Sequence, residues 1–309
     1  MRGFCMKRKT LILLIVLTFN FSPVFSFPHF NSQIEKNPYF SSTFDTLRYE
    51  LENDVNTLIK DFNYPVGIAF KDLKSDEIFF FNENEIFPTA SAIKIEILIH
   101  LMKEHQNGNL NLYENIPVKL RVGGSGLLQF FDQSNLNLSY YNLALLMIQQ
   151  SDNTATNILI DKLGMEKINQ TIKSLGLEQT KLQRIMMDFE ARKAGRENLS
   201  SPADKLKLLE MIYRKEIFPD SINNEVIKIL SIPKQTPLLT EIKDEITIAS
   251  KGGELDDVRC EMGIFSCGKF DYVLVVMTKD LPNSNLGEEF IKKVSKVFYD
   301  YMKKRYNVN

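Results

Sequence analysis

Cysteine is scarce in this chain of 309 residues, with three copies, and histidine is equally scarce. Cys5 lies at the extreme N-terminus, which leaves Cys260 and Cys267. If these two flank a single strand, seven residues at about 3.3 Å each hold them beyond disulfide reach. A disulfide framework is thereby excluded, and two packed thiols remain. The histidines are His29, His100 and His105. The last two are five apart, not the four that would align them on a helix for zinc. An excess of positive charge is also missing. The formal net charge is −1, and residues 1–26 hold four basic side chains (Arg2, Lys7, Arg8, Lys9) and no acid. The remainder therefore carries 34 basic residues against 39 acidic ones. Nothing there would neutralise a phosphate backbone, so nucleic acid is excluded as a partner. The longest apolar run, Leu11–Phe19, falls short of the roughly 20 residues that span a bilayer. There is no internal repeat and no low-complexity tract.

What is present begins with a targeting pattern. A basic stretch precedes that apolar run, and a weaker region ends in Val24-Phe25-Ser26, which suits signal-peptidase cleavage before Phe27. No cysteine follows for lipid attachment. The sequence thus predicts a signal peptide at 1–26, export to the periplasm or beyond, and a mature chain without a stable membrane span. Hydrophobic residues at 44 % and charged residues at 25 % are ordinary for a globular protein, long enough to bury a core.

Residues 27–43 read as an irregular lead-in. Leu47, Leu51, Val55, Leu58 and Phe62 recur at helical spacing and predict a helix over 44–62. Strand-like runs follow at 66–73 and 77–82, around the turn Lys74-Ser75-Asp76. From about 90 to 235 the pattern is helical. Strands return at 246–250, 258–266 and 272–278, and a last helix covers about 286–306. This order predicts one layered sheet built from both termini and interrupted by an all-helical insertion, with a cleft between the two lobes.

Three short motifs carry chemistry. Ser91-Ala92-Ile93-Lys94 opens a helix that reads as strongly amphipathic. Positions i and i+3 share a face, so the Lys94 amine can stand beside the Ser91 hydroxyl as its base. That requires the lysine pKa to fall from about 10.4 through burial or a neighbouring cation. Ser-x-x-Lys alone is frequent by chance, and a capping serine with a solvated lysine is its ordinary meaning. Ile93, Ile95 and Ile97 argue against a solvated lysine here. Ser151-Asp152-Asn153 precedes a helical run, where Asp152 makes an ordinary N-cap. Lys251-Gly252-Gly253 closes the strand ending at Ser250, where paired glycines usually mean a bulge or turn and otherwise let a substrate approach the backbone.

Each motif is weak by itself; their order and spacing are not. Ser91 precedes Ser151 by 60 residues and Lys251 by 160. With Gly123-Gly124-Ser125-Gly126-Leu127-Leu128-Gln129 before the second motif, the chain resembles class A β-lactamases and their penicillin-binding relatives from about residue 45 to 305. The resemblance implies an α/β (α+β) fold of the β-lactamase/transpeptidase type. Its antiparallel sheet and flanking helices would form one lobe (44–87 and 238–309), and 88–237 the helical lobe, within a catalytic domain over 44–309. It also implies roles. Ser91 would form the acyl-enzyme, with Lys94 activating it. Ser151 would pass a proton to the leaving nitrogen. Asn153 would hold Lys94 and a substrate amide, and Lys251 would supply positive potential near Ser151. The amides of Ser91 and Glu254 would form the oxyanion hole. Gly253 and Arg259 would line the substrate site.

Two departures bear on the substrate. The family's Arg-x-Glu, whose Glu directs the deacylating water, reads Arg184-Ile185-Met186 here, or ends on Met187 by direct counting. Asp188 and Glu190 are the nearby carboxylates available as substitutes. Their alternative is a salt-bridged loop with Arg192 and Arg196. Gly252 also stands where the family has Thr or Ser, whose hydroxyl helps bind the lactam carboxylate. The resemblance therefore implies an exported, monomeric serine hydrolase that opens the β-lactam amide, needs no cofactor or metal, and takes a small-molecule acyl substrate. The alternatives are a same-fold hydrolase of another amide or ester, such as a cell-wall peptide, and a penicillin-binding sensor that acylates without efficient turnover.

Overall fold

Leu51 and Val55 lie on the buried stripe of the first helix, α1 (Thr43–Phe62), as the helical spacing requires. Its chain then reverses through β1 (Val66–Asp72) and β2 (Ile78–Phe81). The turn between them is held by Asp72, whose carboxylate accepts from the Lys74 and Ser75 amides at 2.9 and 3.3 Å and from Ser75 Oγ at 2.6 Å. The structure, a computed structural model, describes residues 43–243 and 246–308. The expected signal segment and the lead-in up to residue 42 lie outside the described residues.

A short strand β3 (Phe87–Pro88) leads through a 3₁₀ turn, Ala90–Ile93, into α2 (Lys94–Gln106). The helical region continues with β4 (Asn115–Pro117), β5 (Asn137–Ser139), α3 (Tyr140–Gln149), α4 (Asn153–Leu163), α5 (Met165–Ser174) and α6 (Phe189–Lys193). It closes with β6 (Leu199–Ser200), α7 (Pro202–Tyr213), α8 (Asp220–Leu230) and α9 (Pro237–Thr240). Three strands follow, β7 (Thr247–Leu255), β8 (Val258–Ser266) and β9 (Asp271–Thr278), and then α10 (Ser284–Arg305). None of the described helices is long and apolar enough to cross a membrane.

The strands β2-β1-β9-β8-β7 make one antiparallel sheet, drawn from both ends of the chain as expected. One face packs on α1, α9 and α10, around Phe70, Tyr272 and Phe298; the Phe265 and Tyr272 rings stack at 4.3 Å. The other face meets the helical region through α7 and α8. Two expectations need correction. The helix carrying Ser-x-x-Lys is not amphipathic over most of its length: Lys94 to Met102 are all buried, because α2 lies among α3, α4, α5 and α8, and only its last turn reaches water. Nor does the strand before Lys251 stop at Ser250. It runs on to Leu255 with Gly252 opposite Glu261 and Gly253 opposite Cys260, because here the glycines serve close packing and not a turn.

Cys260 lies inside β8 and Cys267 just past its end. Cys260 is a buried thiol that donates to the Thr89 carbonyl at 3.2 Å.

Behind α2 lies a charge pair that no sequence pattern announced. Lys205 of α7 and Glu96 meet at 2.6 Å, with both side chains 1 % exposed, and Lys205 Nζ also donates to the Ala92 carbonyl at 3.2 Å. Burial raises the Glu96 pKa, against the pull of Lys205. Removing one partner of such a pair strands a buried charge at a cost of roughly 3–5 kcal/mol, whereas an apolar pair of similar volume is often neutral. Lys205→Met should therefore lose about that much stability in chemical denaturation, and Lys205→Met with Glu96→Leu should recover most of it.

Candidate active site

The turn that presents Ser91 is strained and tied down. Ala90 has φ +45°, a left-handed conformation that costs a β-carbon-bearing residue of order 1 kcal/mol. Thr89 holds it from one side, its amide and hydroxyl both donating to the Asn198 carbonyl, at 2.8 and 3.1 Å. The Ala92 amide donates back to Thr89 at 2.9 Å. In a 3₁₀ turn positions i and i+3 eclipse, so Ser91, half-buried, and Lys94, fully buried, share a face.

Lys94 Nζ has three neighbours. They are the Ser151 carbonyl at 2.7 Å, Ser151 Oγ at 3.1 Å and Asn153 Oδ1 at 3.1 Å. Asn153 Nδ2 donates to the Gly123 carbonyl at 3.0 Å, which fixes its Oδ1 as the acceptor toward lysine. Burial pushes the Lys94 pKa well below its ordinary value, the charge of Lys251 adds to that, and Asp152 opposes it. A neutral amine has two hydrogens, and two of its three neighbours can only accept. Its lone pair is thus left for a hydroxyl proton.

Ser151 has φ +49°, on the bend between α3 and α4. That bend places Oγ between two amines, Lys94 and Lys251, each at 3.1 Å. Lys251 Nζ also donates to the Gly252 carbonyl at 2.8 Å. Burial lowers its pKa to about 8, partly offset by the Glu261 carboxylate. Asp152 caps α4 by accepting from the Ala155 amide at 2.9 Å, and its other oxygen accepts from the Leu127 and Leu128 amides at 2.7 and 2.8 Å. The glycine-rich stretch 123–129 is therefore pinned to the Ser-Asp-Asn motif.

The third motif closes the site from the sheet. A Cβ on Gly253 would lie 2.1 Å from the Thr89 carbonyl and 3.0 Å from the Ala92 amide. Gly253 thus lets β7 touch the Ser91 turn, and the space is filled by the protein's own backbone. Glu254 follows as the next residue of the strand. The structure so brings Ser91, Lys94, Ser151, Asn153, Lys251 and Gly253 to one place.

Three other expected residues are engaged elsewhere. Asp188 caps α6, accepting from the Ala191 amide at 2.9 Å. Glu190 is exposed and pairs with Lys193 at 2.8 Å, not with Arg192 or Arg196. Arg259 is 12 % exposed, with its guanidinium on Glu254, Glu261 and Glu288. Met186, which with Met187 is a candidate for the position of the family's glutamate, is buried, and Asn157 clasps its backbone from both sides at 2.8 and 3.1 Å. Asn157 escaped the sequence reading, although it lies one turn past Asn153 on α4, the spacing of a shared face. Met187, with φ +64°, lays its sulfur over Gly124 beside the Asn153 amide. Arg184 ties the ends of this loop through Glu197, at 2.8 and 3.0 Å.

Residues 50–302 match the model of the beta-lactamase enzyme family. An imipenem-hydrolyzing beta-lactamase of Enterobacter cloacae is 28 % identical over 52 % of the chain, a stretch covering 56 % of that relative. The chain thus spans little more than half the length of this relative. A beta-lactamase of Bacteroides uniformis is 22 % identical over 82 % of the chain and 92 % of its own length. Among solved structures, a leucine-to-glutamate variant of PBP-A, as an acyl-enzyme complex with penicillin G, superposes with a TM-score of 0.76 at 28 % identity. That likeness covers 84 % of this chain and 97 % of PBP-A.

The contact between β7 and the Ser91 turn has a direct test. Gly253→Ala should cost more than roughly 3 kcal/mol in thermal or chemical unfolding, as overlap with backbone atoms cannot relax cheaply. Gly123→Ala, whose Cβ would find its nearest neighbour at 3.8 Å, should stay within about 0.5 kcal/mol of the parent.

Proposed function

The chain belongs to the beta-lactamase enzyme family, and from that premise we propose that it is a class A-type serine acyl-transfer enzyme whose Ser91 is acylated by β-lactams or related amides and esters. The observation that carries this reading is the fully buried Lys94 amine, held by Ser151 and Asn153, with Lys251 on the far side of the same Ser151 hydroxyl. Lys94 takes the Ser91 proton as Oγ attacks the carbonyl carbon. The oxyanion forms between the Ser91 and Glu254 amides. When the carbon–nitrogen bond breaks, Ser151 passes a proton to the leaving nitrogen and is reprotonated from Lys94, which returns the lysine to its neutral state. Lys251 stays charged and stabilises negative charge around Ser151. The steps balance without a cofactor or metal.

Release of the acyl group is the slow half of the proposed cycle. Methionine cannot direct a water as a base does, Asp188 is occupied as a cap, and Glu190 points to solvent with Lys193. The acyl-enzyme of the PBP-A variant with penicillin G supports acylation by a β-lactam, and the relatives named as beta-lactamases support hydrolysis in the end. We further read residues 1–26 as an export signal, 44–87 with 238–309 as one lobe, 88–237 as the other, and the mature chain as a monomer. These rest on the sequence pattern.

Intact-mass spectrometry after exposure to penicillin G should show one adduct, mapped to Ser91, that outlives removal of free drug and is absent from Ser91→Ala. Rapid release of product with no trapped adduct would instead assign a hydrolase with an efficient deacylation step. The rate of acylation should depend on pH in a definite direction. Lys94 has the more depressed pKa and must be neutral, so the rate rises as it loses its proton. Lys251 must be charged, so the rate falls as pH passes about 8. In Lys251→Arg the residual rate should hold to higher pH, since a guanidinium does not titrate there.

A further inference from the structure

Gly252 removes a side chain from the face of β7 opposite Gly253, and the volume it leaves is occupied. Glu261 is its cross-strand partner. A Cβ on Gly252 would lie 2.1 Å from Glu261 Oε1 and 2.6 Å from Oε2. The carboxylate is buried and held in place, accepting from Arg259 Nη2 at 3.2 Å and from Thr236 Oγ1 at 3.2 Å. Burial raises its pKa, and Arg259, Lys251, Thr236 and Lys234 pull it back toward the charged form. The cations nearby are already opposed. Arg259 also pairs with Glu254 and Glu288. Lys251 has Glu261 as the carboxylate acting on its charge. Lys234 donates to the Leu230 and Ile232 carbonyls at 2.7 and 3.3 Å, and burial lowers its pKa to about 8 with Glu261 in opposition.

We propose that Glu261 is a specificity-determining residue that restricts the Gly252 end of the site to acyl donors presenting an uncharged group there, not a carboxylate. This rests on the acyl-transfer reading above. In that reading the leaving nitrogen faces Ser151 and Lys251, so the group it carries runs past Gly252. No side chain at 252 separates that group from the Glu261 carboxylate. A second carboxylate within 5–6 Å in a partly screened site loses roughly tenfold or more in reactivity. Gly252 and Glu261 act as a pair: the first makes room, the second fills it with negative charge.

The test compares benzylpenicillin as the free acid with its methyl ester, by the second-order rate constant of Ser91 acylation. The parent protein should take the ester at least as fast as the acid. Compared on the acid side of the alkaline fall, where Lys251 keeps its charge, Glu261→Gln, which keeps shape and loses charge, should accelerate the acid roughly tenfold and leave the ester within about twofold. The same variant removes the carboxylate that supports the Lys251 charge, so the alkaline fall in rate should move below pH 8, a shift that a packing role alone would not produce. A parent protein that prefers the acid by tenfold, or a Glu261→Gln ratio unchanged from the parent, overturns the proposal. The parent ratio decides even if the variant fails to fold. An absence of Ser91 adduct with both compounds overturns the acyl-transfer reading, and the inference falls with it.

Discussion

A lysine amine sealed from water is the constraint around which the rest is arranged. Lys94 is 0 % exposed in the middle of the molecule, where an ionised ammonium would face a desolvation penalty of several kcal/mol. Burial pushes its pKa well down, toward the neutral amine, and polar partners hold the amine in place. The partners come from one bend, Ser151 to Asn153, and the bend is fixed in turn by Asp152, which satisfies three backbone amides at once. A helix cap thus does two jobs: it starts α4, and it locks the acceptors that hold the Lys94 amine in place, while burial and the Lys251 charge lower its pKa. Buried polar networks stabilise a fold only when each member is satisfied, and this one is satisfied through carbonyls and a cap that local folding already needs.

The second lysine makes the arrangement asymmetric. Lys251 approaches the same hydroxyl at the same distance. Burial lowers its pKa to about 8 with Glu261 in opposition, whereas Lys94 is lowered both by burial and by the Lys251 charge, with Asp152 in opposition. Two amines sharing one hydroxyl would otherwise compete for the same role. Unequal surroundings shift them differently, which in the proposed cycle separates a proton acceptor from a fixed cation, as neighbouring titratable groups are separated in acid–base sites generally. Glu261 therefore has two consequences from one position: it supports the Lys251 charge, and it cancels that charge for anything that docks beside Gly252.

Much of this was legible before the structure. The spacing of Ser91 and Lys94, the Ser-Asp-Asn cap and the sheet built from both termini all follow from local periodicity and motif order. Other features depend on contacts between distant segments and left no local trace. Gly252 and Gly253 look like the end of a strand, because a glycine pair reads the same whether it serves a turn or a close approach. Only the pairing with Glu261 and Cys260 distinguishes the two. Asp188 and Glu190 look like free carboxylates, since a five-residue helix such as α6 is too short to show a periodic pattern, and its cap takes Asp188 out of play. The α2 stripe looks amphipathic because Lys94, Glu96 and His100 interrupt it, yet each is buried against a partner from another element.

The loop at Met186 shows how the two halves of the proposed chemistry come to be separable. Arg184 and Glu197 close its base, Asn157 clasps the Met186 backbone, and the Met187 sulfur covers Gly124 beside the amide of Asn153. All of these contacts hold the loop against the bend that carries Ser151 and Asn153. None of them supplies a proton acceptor for water. The loop thus retains its architectural role, bracing the residues that serve acylation, while its side chains at the crucial point are apolar. In the proposed cycle, acylation draws on α2, the Ser151 bend and β7, and the base for deacylation would come from the loop. A change confined to the loop can therefore stop the second half of the cycle and leave the first intact.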